Sequence, residues 1–188
     1  SRGLGDVYKR QRQKRVGGFL MEFEKAGLSD HVLVRSAADS KDTEIPNIES
    51  EYRMGYDLTV ELLRGEQSVT AIAALNDMMA FGAMDAMKAA GISYGVDGDV
   101  ILISFDACTA GLEYVMSGDI NADFECNPLA APFVEDVIQQ LESGSTPDKE
   151  VYMVEHWYVN EDILSSITVN GEEQELTVVT QEIVDAQY

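Results

Sequence analysis

The chain has 188 residues, 45% of them hydrophobic, and its 34 acidic against 13 basic residues give a formal charge of −21. That length and apolar content suffice for one domain, or slightly more, built on a proper core. A surface this acidic repels nucleic acid and anionic lipid and so excludes them as partners; it serves solubility, or, as the alternative, offers an acidic face to a cationic partner.

In chain order, residues 1–11 come first, Ser1-Arg-Gly-Leu-Gly-Asp-Val-Tyr-Lys-Arg-Gln11. They show neither apolar period nor cap logic, and they are basic inside an acidic chain. The segment resembles a translated sequencing-adapter read-through. It is set aside as non-native, a genuine basic arm being the alternative, and a start cut upstream would account for a lost signal sequence. Over residues 14–26, Val16, Phe19, Leu20, Phe23 and Ala26 recur at helical spacing, and Gly27 ends that helix. The apolar run at 31–34 predicts a strand, and the polar stretch at 36–46 a loop. Residues 49–63 predict a helix with Tyr52, Tyr56, Leu58 and Leu62 on its apolar face, stopping near Gly65. Residues 69–75 scarcely alternate, which predicts a strand buried on both faces. A helix over 77–90 closes at Gly91, and a strand follows at 99–105. A short helix over 110–116 ends at Gly118. Then come a strand at 120–126, a helix at 129–141, a strand at 151–159 and a short strand at 176–179. Strands alternating with helices predict an α/β fold, a parallel sheet sandwiched between helices in three layers.

Open α/β sheets bind ligands at the carboxyl ends of their strands. Two such ends carry polar side chains here. Asn76 follows the 69–75 strand, either to exchange hydrogen bonds with a ligand while Asp77 caps the next helix, or only to close the turn. Asp106 ends the next strand, either to accept from two vicinal hydroxyls or to cap the following segment. Arg15 stands just before Gly17-Gly18-Phe19. Its guanidinium can fork onto a ring oxygen and a hydroxyl, or be an ordinary surface arginine. In Glu125-Cys126-Asn127-Pro128, Asn127 is placed to face a cleft or to form a turn. Amides and carboxylates bind hydroxyl groups well and do little covalent chemistry unaided, so the pattern predicts a binder of a polyhydroxylated small molecule. There is no GxSxG elbow and no nucleophile–base pair, so no catalytic residue and no enzyme are expected. His31 and His156 lack neighbours at ligand spacing, and no GxGxxG follows a strand; neither a metal nor a cofactor is expected. Cys108 and Cys126 are too few for a disulfide framework and are expected as free, largely buried thiols.

Four motifs occur in order: Arg15-Val-Gly-Gly-Phe19, Asn76-Asp-Met-Met-Ala-Phe-Gly-Ala83, Ser104-Phe-Asp-Ala107 and Glu125-Cys-Asn-Pro128. Over residues 12–188 the chain resembles the type I periplasmic sugar-binding proteins that feed ABC transporters, nearest their ribose, galactose and galactofuranose branch. The resemblance implies a periplasmic-binding-protein-like type I fold whose two lobes close on a monosaccharide: a pentose, a hexose or a galactofuranose-like sugar. It also implies a membrane permease as partner, a monomer when full length, and a periplasmic or membrane-anchored lipoprotein location. The family's sugar-contacting arginine, asparagine and aspartate carry onto Arg15, Asn76 and Asp106. Where many members place Gln or Asn two residues before the last motif's proline, this chain has Cys126, which leaves Asn127 or Glu125 as the fourth contact. Residues 12–127 would form the C-terminal sugar-binding lobe. Residues 128–154 would be a helix and strand of a largely absent N-terminal lobe, and 155–188 a return to the first lobe with a tail. The effector-binding domain of a lactose-repressor-type transcription regulator shares this fold and is the alternative; the acidic charge and the tail after Glu155 argue against it.

Overall fold

A computed structural model describes residues 4–35, 48–65, 68–169 and 171–187. Helix α1 (Leu4–Lys25) is followed by a single 3-10 turn (Ser29–His31) and helix α2 (Ile48–Leu63). Strand β1 (Ala71–Ala73), helix α3 (Asp77–Ala89), strand β2 (Ile101–Asp106), helix α4 (Thr109–Ser117) and strand β3 (Ala122–Glu125) then alternate. Helix α5 (Ala131–Glu142), strands β4 (Trp157–Val159), β5 (Ser166–Val169), β6 (Glu172–Glu175) and β7 (Thr177–Val178), and helix α6 (Gln181–Ala186) complete the order.

The main sheet runs β1-β2-β3-β4-β7. Strands β1, β2 and β3 are parallel, β4 is antiparallel to β3, and β7 is parallel to β4. This is the expected α/β architecture, a mostly parallel sheet flanked by helices. Strand alternation divides its two faces. One face presents Ile72, Leu102, Ser104 and Asp123, all buried. Beneath it lie Met87 of α3 and Leu112 and Val115 of α4, fully buried with Val100 and Ile120. Each such aliphatic side chain contributes about 1.5–3 kcal/mol through burial. The other face carries a half-buried aromatic row, Phe105–Phe124–Trp157, with ring centroids 5.2 and 5.6 Å apart.

Helices α2 and α3 touch backbone to backbone. A Cβ on Gly82 would stand 2.0 Å from the Tyr52 carbonyl oxygen, and one on Gly55 would stand 2.1 Å from that of Met79. Only hydrogen at both positions permits that approach.

Several elements differ from the sequence reading. Helix α1 begins at Leu4, inside the segment set aside as 1–11. Its Lys, Arg and Gln residues are good helix formers, and extending an existing helix costs little once a turn is nucleated. The run at 31–34 forms no strand: His31 closes the 3-10 turn, and 32–35 pair with no named strand. A cavity of about 730 Å³ instead separates Phe19 and Phe23 of α1 from Ile103 and Phe105 of β2. The strand expected over 151–159 is confined to β4. Strands β5 and β6 form an antiparallel pair, and α6 folds where only a tail was expected. The loop expected at 36–46 lies outside the described residues.

Helix α5 buries none of its residues. Leu129, Val134, Ile138 and Leu141 are each about half exposed, at 55, 54, 48 and 58%. Among the described residues, no helix is long and apolar enough to cross a membrane.

Candidate functional site

The carboxyl ends of β1 and β2 meet the side of α1. Arg15 Nη1 donates to the Leu75 carbonyl at 2.5 Å, and Nη2 donates to Asp106 Oδ1 at 2.7 Å. The guanidinium also lies over the Phe105 ring, 5.1 Å from its centroid. The arginine expected either at a ligand or on the surface is thus anchored to both strand ends. A Cβ on Gly17 or Gly18 would meet nothing within 4 Å, so those glycines serve no close approach among the described residues.

Asp106 caps no helix. The N-cap of α4 is Cys108, and the Asp106 carboxylate turns toward Arg15. Its backbone stands at φ 105°, and Ala107 follows at φ 54°. Two consecutive non-glycine residues there cost about 1–3 kcal/mol each and persist only where the surroundings hold them. Burial raises the Asp106 pKa; Arg15 opposes that rise, and the charges of Asp77 and Glu51 add to it.

Asn76, not Asp77, is the N-cap of α3, a correction to the sequence reading. Asn76 Oδ1 accepts from the Met79 amide at 2.9 Å, and Nδ2 donates to Glu51 Oε2 at 2.9 Å. The physical reason is position: Asp77 already has helical backbone, so its short side chain points inward. There it accepts from the Ser104 hydroxyl at 2.6 Å and the Cys108 amide at 2.8 Å. With the oxygen of Asn76 committed to the cap and Glu51 fixing the amide's orientation, Asn76 offers its surroundings an N–H donor.

The end of β3 closes the group. The Cys126 amide donates to the Asp106 carbonyl at 3.4 Å. Burial pushes the Cys126 thiol up, while neighbouring Arg15 pulls it back. Asn127 Oδ1 accepts from the Leu129 amide at 2.8 Å, the turn-forming role that was its alternative. Glu125 is buried and accepts from both the backbone amide and ring Nδ1 of His156, at 2.9 and 2.8 Å. Arg15 and Asp106 are therefore in contact, Asn76 adjoins the carbonyl that Arg15 holds, and Cys126 borders the pair. Asn127 is engaged in its own turn. Sequence reasoning missed Glu51, whose only signal was a carboxylate on a helix flanking the β1 end, and the Asp77–Asp123 neighbourhood, where polar residues sit at core positions. Neither cysteine forms a disulfide; burial pushes Cys108 up to about 12. Among the described residues, no group of three His, Cys, Asp or Glu could hold a metal ion.

The mostly parallel sheet flanked by helices is of the periplasmic-binding-protein-like type I class. Solved structures bear this out. A protein from Mycobacterium smegmatis in complex with β-D-fucofuranose is 27% identical with a TM-score of 0.51, over 57% of this chain and 35% of its own. A galactofuranose binding protein is 25% identical with a TM-score of 0.51, over 57% and 37%. A periplasmic ribose ABC transporter protein from Conexibacter woesei shares the fold at 24% identity and a TM-score of 0.52, over 57% and 36%. This chain spans little more than a third of the length of these neighbours. No family model and no curated protein matches the chain.

Proposed function

We propose that this chain is the sugar-binding lobe of the extracytoplasmic solute-binding component of a carbohydrate ABC transporter. In this reading, residues 12–127 and 155–188 form the lobe, and 128–154 lean on a second lobe, for which the uncovered apolar face of α5 is the support. A monosaccharide lies between the lobes. Asp106 accepts from its hydroxyls, Arg15 and Asn76 donate to its oxygens, and Asn127 or Cys126 flanks them. The permease is the membrane partner, and the location is periplasmic or lipid-anchored outside the cytoplasm.

The observation that carries the proposal is the Arg15–Asp106 pair, 2.7 Å apart at the carboxyl ends of parallel strands. A cation and an anion side by side offer a donor and an acceptor to one vicinal diol. The likeness to galactofuranose- and fucofuranose-binding structures makes furanose sugars the first ligands to test. Titration of the isotope-labelled chain with galactofuranosides, ribose and arabinose should shift the amides of Asn76, Asp106 and Cys126, with weak affinity because one lobe covers the sugar on one side. Asp106→Ala should weaken binding by about 1.5–3 kcal/mol, the range for a hydrogen bond to a charged group. Absence of shifts with every sugar at saturating concentration, or unchanged affinity in the variant, would refute the assignment.

A further inference from the structure

Behind Asp106 lies a carboxylate that sugar binding does not use. Asp123 of β3 is fully buried. Its Oδ1 accepts from the Ala107 amide at 3.2 Å, while its Oδ2 has no hydrogen-bond partner among the described residues. Across from it sits Asp77, also buried, with both oxygens accepting from Ser104 and Cys108. Both Oδ2 atoms lie 2.7 Å from the point where a Cβ on Gly111 would stand, so the bare glycine leaves the two carboxyl groups facing each other in one small space. An ionised carboxylate only accepts, so two of them facing each other cannot satisfy one another. One proton resolves the conflict by turning Asp123 into a donor.

The contacts of this pair converge on one turn. Asp123 holds the Ala107 amide, and Asp77 holds the Cys108 amide. Ala107 and its predecessor Asp106 are the two non-glycine residues held at positive φ. Gln187, just past α6, donates to the Ala107 carbonyl at 2.6 Å.

We propose that Asp123 is a positioning residue: protonated in the folded protein, it donates to Asp77 Oδ2, and this shared proton locks the 106–108 turn that presents the Asp106 carboxylate. The titratable groups facing it are Asp77 at the start of α3, Asp106 at the end of β2, Cys108 at the start of α4 and Tyr158 on β4. Asp77 and Asp106 are the charges acting on Asp123, and both favour its neutral form. Burial, then the charge and hydrogen bond of Asp77, raise it to about 10. The lock is a property of the ligand-free chain. Only its consequence, the placement of a sugar acceptor, rests on the proposed function, so either can fail without the other.

A group whose folded-state pKa is raised binds a proton that the unfolded chain has released. Between the unfolded value near 4 and the folded value, the unfolding constant therefore rises about tenfold per pH unit on its account. Asp123→Asn is isosteric and donates without titrating. Three readouts test the lock. The Asp123 carboxyl carbon, followed by NMR in the unaltered chain, should titrate above pH 7; a midpoint below pH 7 overturns the proposal. In urea denaturation at pH 5–9, the unfolding constant of the Asn variant should rise at least threefold less per pH unit than that of the wild type; a smaller difference overturns it. Amide exchange of Ala107 and Cys108 at pH 7 should be at least tenfold faster in Asp123→Ala than in the unaltered chain; exchange within tenfold overturns it. The first readout needs no variant, so a substitution that fails to fold leaves the test intact.

Discussion

Replacing Gly82 by alanine should pry apart the two helices that set up one side of the site. The new Cβ would stand 2.0 Å from the Tyr52 carbonyl oxygen, and the nearest other atom, the Tyr56 amide nitrogen, would be 2.7 Å away. Both are backbone atoms, which cannot swing aside like a side chain. The helices must therefore separate by roughly 1 Å to reach a tolerable contact, and packed interiors resist such shifts. Overpacking costs about 1–3 kcal/mol, and the better helix propensity of alanine returns about 1. Separation also stretches the 2.9 Å bond between Asn76 Nδ2 and Glu51, a further loss of about 0.5–1.5 kcal/mol. The net destabilisation is about 0.5–3.5 kcal/mol. Urea denaturation followed by circular dichroism should show it as a lower midpoint at unchanged slope. Gly55→Ala, whose Cβ would clash with Met79, should behave alike. The double variant should lose less than the sum, since one separation relieves both clashes. A neutral or stabilised Gly82→Ala would refute the close-packed account of α2 and α3.

Asn76→Ser keeps a cap acceptor and loses the amide that Glu51 holds, so it should weaken sugar binding while costing less stability than Asn76→Ala, which loses the cap at about 0.5–2 kcal/mol; equal stability loss in the two would deny Asn76 its capping role. Only the thiolate reacts with maleimide or iodoacetamide, so Cys108, pushed up to about 12 and held beneath Asp77, should label far more slowly at pH 8 than Cys126 beside Arg15. Mass spectrometry of the labelled peptides would contradict this by showing Cys108 first. Hydrogen exchange should be fast over 129–154, where α5 buries nothing, and slow in β2; equal protection would mean that the α5 face is covered in solution.

The stretch from β1 to β3 was legible because each element there is a short apolar run or a helical repeat that ends on a polar or glycine residue, although β1, expected to be buried on both faces, is an edge strand that buries only Ile72. The strands there sit at the positions the apolar runs indicate. Other elements were hidden for identifiable reasons. Strand β6 reads Glu-Glu-Gln-Glu, a pattern of charge rather than of burial, and only Asn170-Gly171 between it and β5 signalled a hairpin. The apolar run at 31–34 carried no information about which strand it would pair with, and in the structure it pairs with none of the named strands. At the site, spacing could place Asn76 and Asp106 at strand ends. It could not place Arg15 against Asp106, 91 residues away, since that contact depends on how α1 lies across the sheet. Nor could spacing separate Asn76 from Asp77, because a cap and the first helical residue are adjacent in sequence and point in different directions.

The aromatic row on the open face of the sheet has an optical consequence. Trp157 is the chain's single tryptophan, set edge-on to Phe124. Phe124 neighbours Phe105, and Phe105 lies under the Arg15 guanidinium. The indole is thus joined by ring contacts, across three adjacent strands, to the side chain that anchors α1 at the strand ends. Its emission should therefore shift, without a label, when ligand, pH or mutation loosens or tightens the arginine, and an unchanged spectrum in Arg15→Ala would deny that link.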